Sequence, residues 1–172
     1  NQYGAAAPDT VQPAGKSVEN PQCTTARMSL LPIRLSPGVD LRRALEALPT
    51  SQGTDSAFVV AGIGSLVEAS LRYADAPDTI TLDGPLEIVS LSGTLSAAGA
   101  HLHVSVSDAA GRVFGGHLGH GSTVRTTAEI LLALLPKGTL TREHDAATGF
   151  GELVGAWAAD MWDRAERPDL RY

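Results

Sequence analysis

Three of the chain's five histidines stand at spacings that suit a shared metal ion. His101-Leu102-His103-Val104-Ser105-Val106-Ser107 alternates strictly between polar and apolar residues, which is the period of a half-buried strand. Asp108-Ala109-Ala110-Gly111 follows, with Asp at the first position of a type I turn and Gly where the left-handed conformation is needed. A turn there makes a hairpin in which Asp108 faces Arg112, Val106 faces Phe114, Val104 faces Gly116 and Leu102 faces Leu118. His103 then lies opposite His117, and His101 sits two residues along on the same face. A slip of one residue would turn His117 onto the apolar face. Neutral imidazoles ligate zinc, and three protein ligands leave one position open for water. Pattern alone leaves a second reading standing, a polar solvent face that carries histidines. His120, just past the second strand, is either a fourth ligand or an ordinary loop residue, and the loop reading is preferred.

The elements that must hold this hairpin come from a chain of 172 residues, long enough for one domain with a proper core. Hydrophobic residues make up 43% and aromatics only 5%, so the core must be built from Val, Leu, Ile and Ala. Lys and Arg number 13 against 19 Asp and Glu, and the net charge of −6 argues against strong independent DNA binding, which needs phosphate-neutralising cations. Cys23 is the only cysteine, so no disulfide forms within the chain, which fits a reducing compartment. No stretch reaches the roughly 20 apolar residues of a bilayer-spanning helix. No secretory signal is visible, and a cytoplasmic location is the expectation.

Residues 1–27 are rich in Ala, Pro, Gln, Thr and Asn and read as a flexible tail. Ser29–Leu35 reads as a strand, and Pro32 places it at a sheet edge. Pro37 and Asp40 open a helix through Leu41, Ala44, Leu45 and Leu48, which Pro49 is expected to stop. Ala57–Gly64 reads as a short buried strand, and Ser65–Tyr73 as a strand or short helix. Gly62-Ile63-Gly64 lacks the third glycine of a dinucleotide loop, because position 67 is Val67. We read it as a bend where another backbone passes closely. Thr79–Leu82 is a short strand, Asp83-Gly84-Pro85 a turn and Leu86–Leu95 a long strand, with Ile88, Ser90 and Ser92 on one face and Val89, Leu91 and Gly93 on the other. Thr123–Leu135 suits a helix by its Ala and Leu content and a strand by its threonines. Thr139–His144 is a short strand. Phe150, Leu153, Val154, Trp157 and Met161 have helical spacing, which predicts a helix at the C-terminus.

Several of these segments, taken in order, resemble the PPC domain, a domain of plants and prokaryotes. They are Glu87–Leu95, His101–Asp108, Gly115-Gly116-His117-Leu118 and Thr126-Thr127-Ala128-Glu129, with Arg34–Asp40 and Gly64-Ser65-Leu66 before them. The resemblance covers residues 28–154, with 155–172 as a C-terminal extension. It implies an α+β fold, a central, mostly antiparallel sheet flanked by a few helices in a single domain, and a homotrimer. It moves Thr123–Leu135 to strand. It implies zinc at His101, His103 and His117. Plant members carry an Arg-Gly-Arg-Pro AT-hook for DNA, which this sequence lacks. The plant partner-binding motif Gly-Arg-Phe-Glu-Ile reads Gly84-Pro85-Leu86-Glu87-Ile88 here, without the arginine.

The expected function is a non-enzymatic trimeric module that binds a metal ion, with a regulatory or DNA-associated role as the family's inheritance and a protein partner or small ligand left open. The alternative is an enzyme that uses zinc-activated water on a small substrate. Glu129 is the acid–base candidate for that alternative, against an ordinary role as a strand or interface carboxylate.

Overall fold

Repeated runs of Val, Leu, Ile and Thr make the described part of this chain mostly strand. The structure, a computed structural model, describes residues 28–155. The elements in order are β1 (Ser29–Leu35), α1 (Leu41–Ser51), β2 (Ser56–Arg72), β3 (Ile80–Ser96), β4 (Gly99–Ser107), β5 (Val113–Leu118), β6 (Thr123–Leu135), β7 (Leu140–Asp145) and β8 (Phe150–Gly155). The first six strands form one antiparallel sheet in the order β1-β6-β2-β3-β4-β5. The sheet curls until β5 also meets the end of β2, where Leu71 pairs with Leu118 and Arg72 with His117. Strands β7 and β8 form a separate two-stranded sheet. The expected tail and the extension beyond Gly155 lie outside the described residues, as do Cys23, Trp157 and Met161.

The core is aliphatic. Leu66, Leu71, Leu102, Val106 and Leu118 are fully or almost fully buried, together with Leu41 and Leu45 of α1. Asp40 caps that helix: its Oδ1 accepts from Arg43 N at 3.0 Å, and its Oδ2 accepts from Gly121 N at 2.8 Å. One carboxylate therefore starts the helix and fixes the loop after β5. Gly64, with φ of 146°, lies against the Thr127 backbone so closely that a Cβ would collide with its carbonyl. The sequence assigned that close approach correctly. Pro32 sits on β1, which is the edge strand.

Several boundaries differ from the sequence reading. Pro49 does not end α1, which runs two residues further to Ser51. Ser56–Arg72 is one strand of 17 residues rather than two elements. Asp83-Gly84-Pro85 is no turn: it lies inside the 17-residue β3, with a cis Gly84–Pro85 bond, opposite a register shift between Leu66 and Glu68. A second irregularity falls between Ile88 and Ser90, so that Val89 is pushed outward at 56% exposure while Ile88 and Leu91 are both buried. That bulge breaks the two-face alternation expected for this segment. Thr123–Leu135 is a strand, because β1 on one side and β2 on the other satisfy its backbone and override the helix propensity of its Ala and Leu residues. Phe150, Leu153 and Val154 belong to β8, not to a helix. The cause is the Asp145–Gly149 turn, where Gly149 N donates to Asp145 O at 2.7 Å and the Asp145 carboxylate accepts from Ala147 N at 2.8 Å. Among the described residues α1 is the only helix, fewer than the few expected, and no helix is long and apolar enough to cross a membrane.

Candidate metal centre

The β4–β5 turn forms as its residues dictate. Asp108 N donates to Arg112 O at 3.0 Å, Gly111 N donates to Asp108 O at 2.9 Å, and the Asp108 carboxylate accepts from the backbone of Ala110 and Arg112. Its register pairs Val106 with Phe114, Val104 with Gly116 and His103 with His117. Leu102, Val104 and Val106 face the core, and the histidines face outward. On the other side of β4, the β3 partners of His101 and His103 are Thr94 and Ser92. Gly116 lets β5 come in against β2: a Cβ there would stand 2.6 Å from Arg72 O.

The three imidazoles converge. Ring centroids are 4.5 Å apart for His103 and His117, 5.0 Å for His101 and His103 and 5.2 Å for His101 and His117. One nitrogen from each ring lies within 4.8 Å of the others. The Nε2 atoms of His101 and His103 are 3.1 Å apart. Two imidazole nitrogens on a tetrahedral zinc stand about 3.3 Å from one another, given zinc–nitrogen bonds of about 2.0–2.1 Å. The donor set and its spacing therefore fit a zinc ion, with small side-chain rotations to bring His117 in. His120 is elsewhere: its Nε2 lies 2.8 Å from Glu46 Oε2, a loop-to-helix contact, as the loop reading expects.

Arginines surround the cluster. Arg142 of β7 places Nη2 3.2 Å from His101 Nδ1 and donates to Thr94 Oγ1 and Gly151 O. Arg72 is the cross-strand partner of His117. Arg42 of α1 donates to Leu118 O at 2.6 Å and to Ala100 O at 3.3 Å. Burial and the neighbouring Arg142 charge hold the His101 pKa below the usual histidine value, and burial and Arg72 do the same for His117. Neutral imidazole, the form that ligates metal, is thereby favoured at both positions.

Arg142 also constrains His101. A guanidinium only donates, so in this arrangement Nδ1 accepts and the ring proton sits on Nε2, pointing to His103. Metal ligation through Nε2 of a neutral ring would require that proton to move to Nδ1, where it would oppose the Arg142 donor. The arginine is thus a competitor of the metal for this ring.

Glu129 is not at this site. It lies on β6, paired with Arg34 and Ile63, and lines a different hollow with Ile33 and Leu131. Within one chain it therefore lies away from the histidines. The carboxylate in the cleft beside His101 and His117 is that of Glu152, with Asp75 on the same rim. Sequence reasoning missed Arg42, Arg72, Arg142 and Glu152. None of the four carried a sequence signal: the Arg72–His117 pairing appears only when the end of β2 meets β5.

Residues 24–136 match the profile of the Plants and Prokaryotes Conserved (PCC) domain. Two curated Synechococcus proteins, both named bifunctional protein GlmU, are 45% and 42% identical over 126 and 143 residues, or 73% and 83% of this chain. The chain spans only 20% and 23% of those two proteins. Among solved structures, a hypothetical protein from Salmonella enterica is 38% identical with a TM-score of 0.71, over 75% of this chain and 94% of that one. A protein from Archaeoglobus fulgidus described as metal-containing is 28% identical with a TM-score of 0.61, over 73% of this chain and 93% of that one.

Proposed function

This chain belongs to the Plants and Prokaryotes Conserved domain family, and from that membership we propose that it is a metal-binding module with zinc held by His101, His103 and His117. The observation that carries the proposal is the convergence of three ligand nitrogens within 4.8 Å on the outward face of a hairpin whose register is fixed by its own turn. A related protein of the same fold, 28% identical, is described as metal-containing, which supports the reading. His101 and His103 are exposed and His117 half-buried, so a held ion keeps a solvent-facing position. The test is metal analysis of the protein purified without chelator, beside the His103→Ala variant. One zinc per chain, lost in the variant, is the expected result. No zinc in the parent, or equal zinc in both, refutes the proposal.

The module assembles as a homotrimer. Val60 and Ile63 of β2, Leu30 of β1 and Val89 of β3 are 50–60% exposed, an amount of outward apolar side chain that favours cover by other copies. Sedimentation that returns a stable monomer at micromolar concentration refutes it. The metal enzyme remains the second reading because of one observation, the cleft of about 960 Å³ beside His101 and His117 with Glu152 on its wall. Zinc-dependent ester hydrolysis that disappears in Glu152→Gln, with zinc content unchanged, would favour it.

A further inference from the structure

We propose that the cleft beside the three histidines takes a small oxyanion, the carboxylate or phosphate group of a small molecule, gripped by Arg72 and Arg142. The inference rests on the metal-centre reading and adds the ligand class to it. Three guanidinium groups line this cleft, those of Arg42, Arg72 and Arg142. Arg42 is committed to the fold: it pairs with Glu46 at 2.8 Å and ties α1 to two backbone carbonyls. Neither Arg72 nor Arg142 has a carboxylate within ion-pair distance among the described residues. The only side-chain hydrogen bond of Arg72 among the described residues is a long one, 3.4 Å to Ala76 O. Among the described residues the side-chain hydrogen bonds of Arg142 go to neutral groups, namely Gly151 O, Thr94 Oγ1 and His101 Nδ1.

The acids nearby do not fill the role. Glu152 Oε1 accepts from Thr148 Oγ1 at 3.0 Å, and among the described residues Glu152 forms no ion pair with either arginine. Asp75 sits at a turn with φ of 56°, on the rim. A guanidinium with no carboxylate partner can bind carboxylate or phosphate oxygens through the N–H groups it has left, and each such charge-assisted bond is worth about twice a neutral one; Arg72 has most of its donors free, whereas Arg142 already uses both terminal nitrogens. A dication held by the histidines would add to the same field. Metal ligation through Nε2 would also weaken the Arg142 contact with His101 Nδ1, and Arg142 already lines the cleft that the oxyanion would occupy. Phe150, 72% exposed on the same hairpin wall, offers a surface for the apolar body of such a molecule.

The test uses the full chain loaded with cobalt(II), whose visible absorption reports its coordination shell. Inorganic phosphate and acetate are titrated separately, with chloride at matched ionic strength as the control. The expected result is a saturable change in the cobalt band with one or both oxyanions and none with chloride. Preference for phosphate or for acetate then identifies the group. Arg72→Gln should weaken oxyanion binding about tenfold or more while cobalt affinity stays the same or rises. Arg72 contributes one long hydrogen bond to the fold, so its variant should melt with the parent. Arg142→Lys, which keeps the charge and loses the fork, should weaken binding by a smaller factor. A formed cobalt band that no oxyanion changes, or an Arg72→Gln protein that binds phosphate and acetate like the parent, overturns this inference and leaves the metal centre standing. Failure to bind cobalt overturns the metal centre instead. Calorimetric titration of the metal-free chain with phosphate then decides the oxyanion: binding that weakens in Arg72→Gln sustains it, and no binding ends it.

Discussion

Replacing His103 by Ala separates a metal centre from a polar face, because the two readings assign this side chain opposite weights. His103 is the central ring of the three, at 4.5 Å from His117 and 5.0 Å from His101. Its removal leaves two stacked rings 5.2 Å apart, a two-nitrogen site. Groups that merely orient a ligand are worth about 10–100-fold in metal affinity, so loss of a ligand should cost about 100-fold or more. Without metal the substitution removes an exposed side chain and should change stability by less than about 0.5 kcal/mol. Zinc at about 100 times its dissociation constant adds about 2.7 kcal/mol to the parent. In a domain of this size that is a rise of roughly 5–10 °C in melting temperature. The assay is thermal unfolding of both proteins, stripped and then zinc-loaded. The parent should gain those degrees, His103→Ala should gain almost none, and the two stripped proteins should melt together. An equal zinc-induced rise in both would refute the ligand assignment. Stripped His103→Ala melting many degrees lower would show that the ring serves packing.

Acid should weaken metal binding late. Burial and the adjacent arginines hold His101 and His117 below the usual histidine pKa, so both stay neutral as pH falls through 6.5. Their contribution to stability has the same sign: it is fully present above the unfolded value and is lost as pH falls through the lower folded values. Zinc uptake measured from pH 7.5 to 5 should therefore fall at lower pH than ordinary histidines would give, and loss of half the metal already at pH 6.5 would contradict it. Asp40→Ala removes two backbone acceptor contacts, to Arg43 N and Gly121 N, and should cost about 1–2 kcal/mol by denaturant titration, while Asp40→Asn should recover part of it. An unchanged midpoint would show that the cap is replaceable. Duplex DNA should bind weakly and with a steep salt dependence, given a net charge of −6 and only two lysines, and sub-micromolar binding at physiological salt would overturn that.

The candidate site was legible where local chemistry decides geometry. Asp108 and Gly111 set a turn, the turn sets a register, and the register pairs His103 with His117. Nothing distant has to be known. The strands from Ser56 to Ser96 were harder, because their length depends on bulges that absorb a misfit with a partner strand. Gly84-Pro85 reads as a turn in isolation, and only the neighbouring β2 backbone turns it into an irregular stretch of β3. Val89 likewise looks like one more residue in an alternating run until β4 pairs around it. Thr123–Leu135 has local preferences that tertiary pairing reverses, and the family resemblance, not the pattern, supplied the strand. The arginines of the cleft were invisible for a different reason. Arg42, Arg72 and Arg142 come from three elements spread along the chain, and no spacing rule connects them to the histidines.

The paired ligands belong to a hairpin, and this bears on the order of assembly. His103 and His117 are 14 positions apart, whereas the Ser29–Leu134 pair that closes β1 onto β6 spans 105. Closing the longer loop costs about 1.8 kcal/mol more in chain entropy. A hairpin with its own turn forms in about 1–10 μs, well before such distant strands meet. The two ligands can therefore stand opposite each other in a chain that has not yet closed its sheet. An ion bound at that stage would act as a clamp on the nucleus, so zinc should quicken refolding as well as slow unfolding, whereas the cleft wall made by β7 and β8 is completed only after Arg142 reaches the hairpin from a separate sheet.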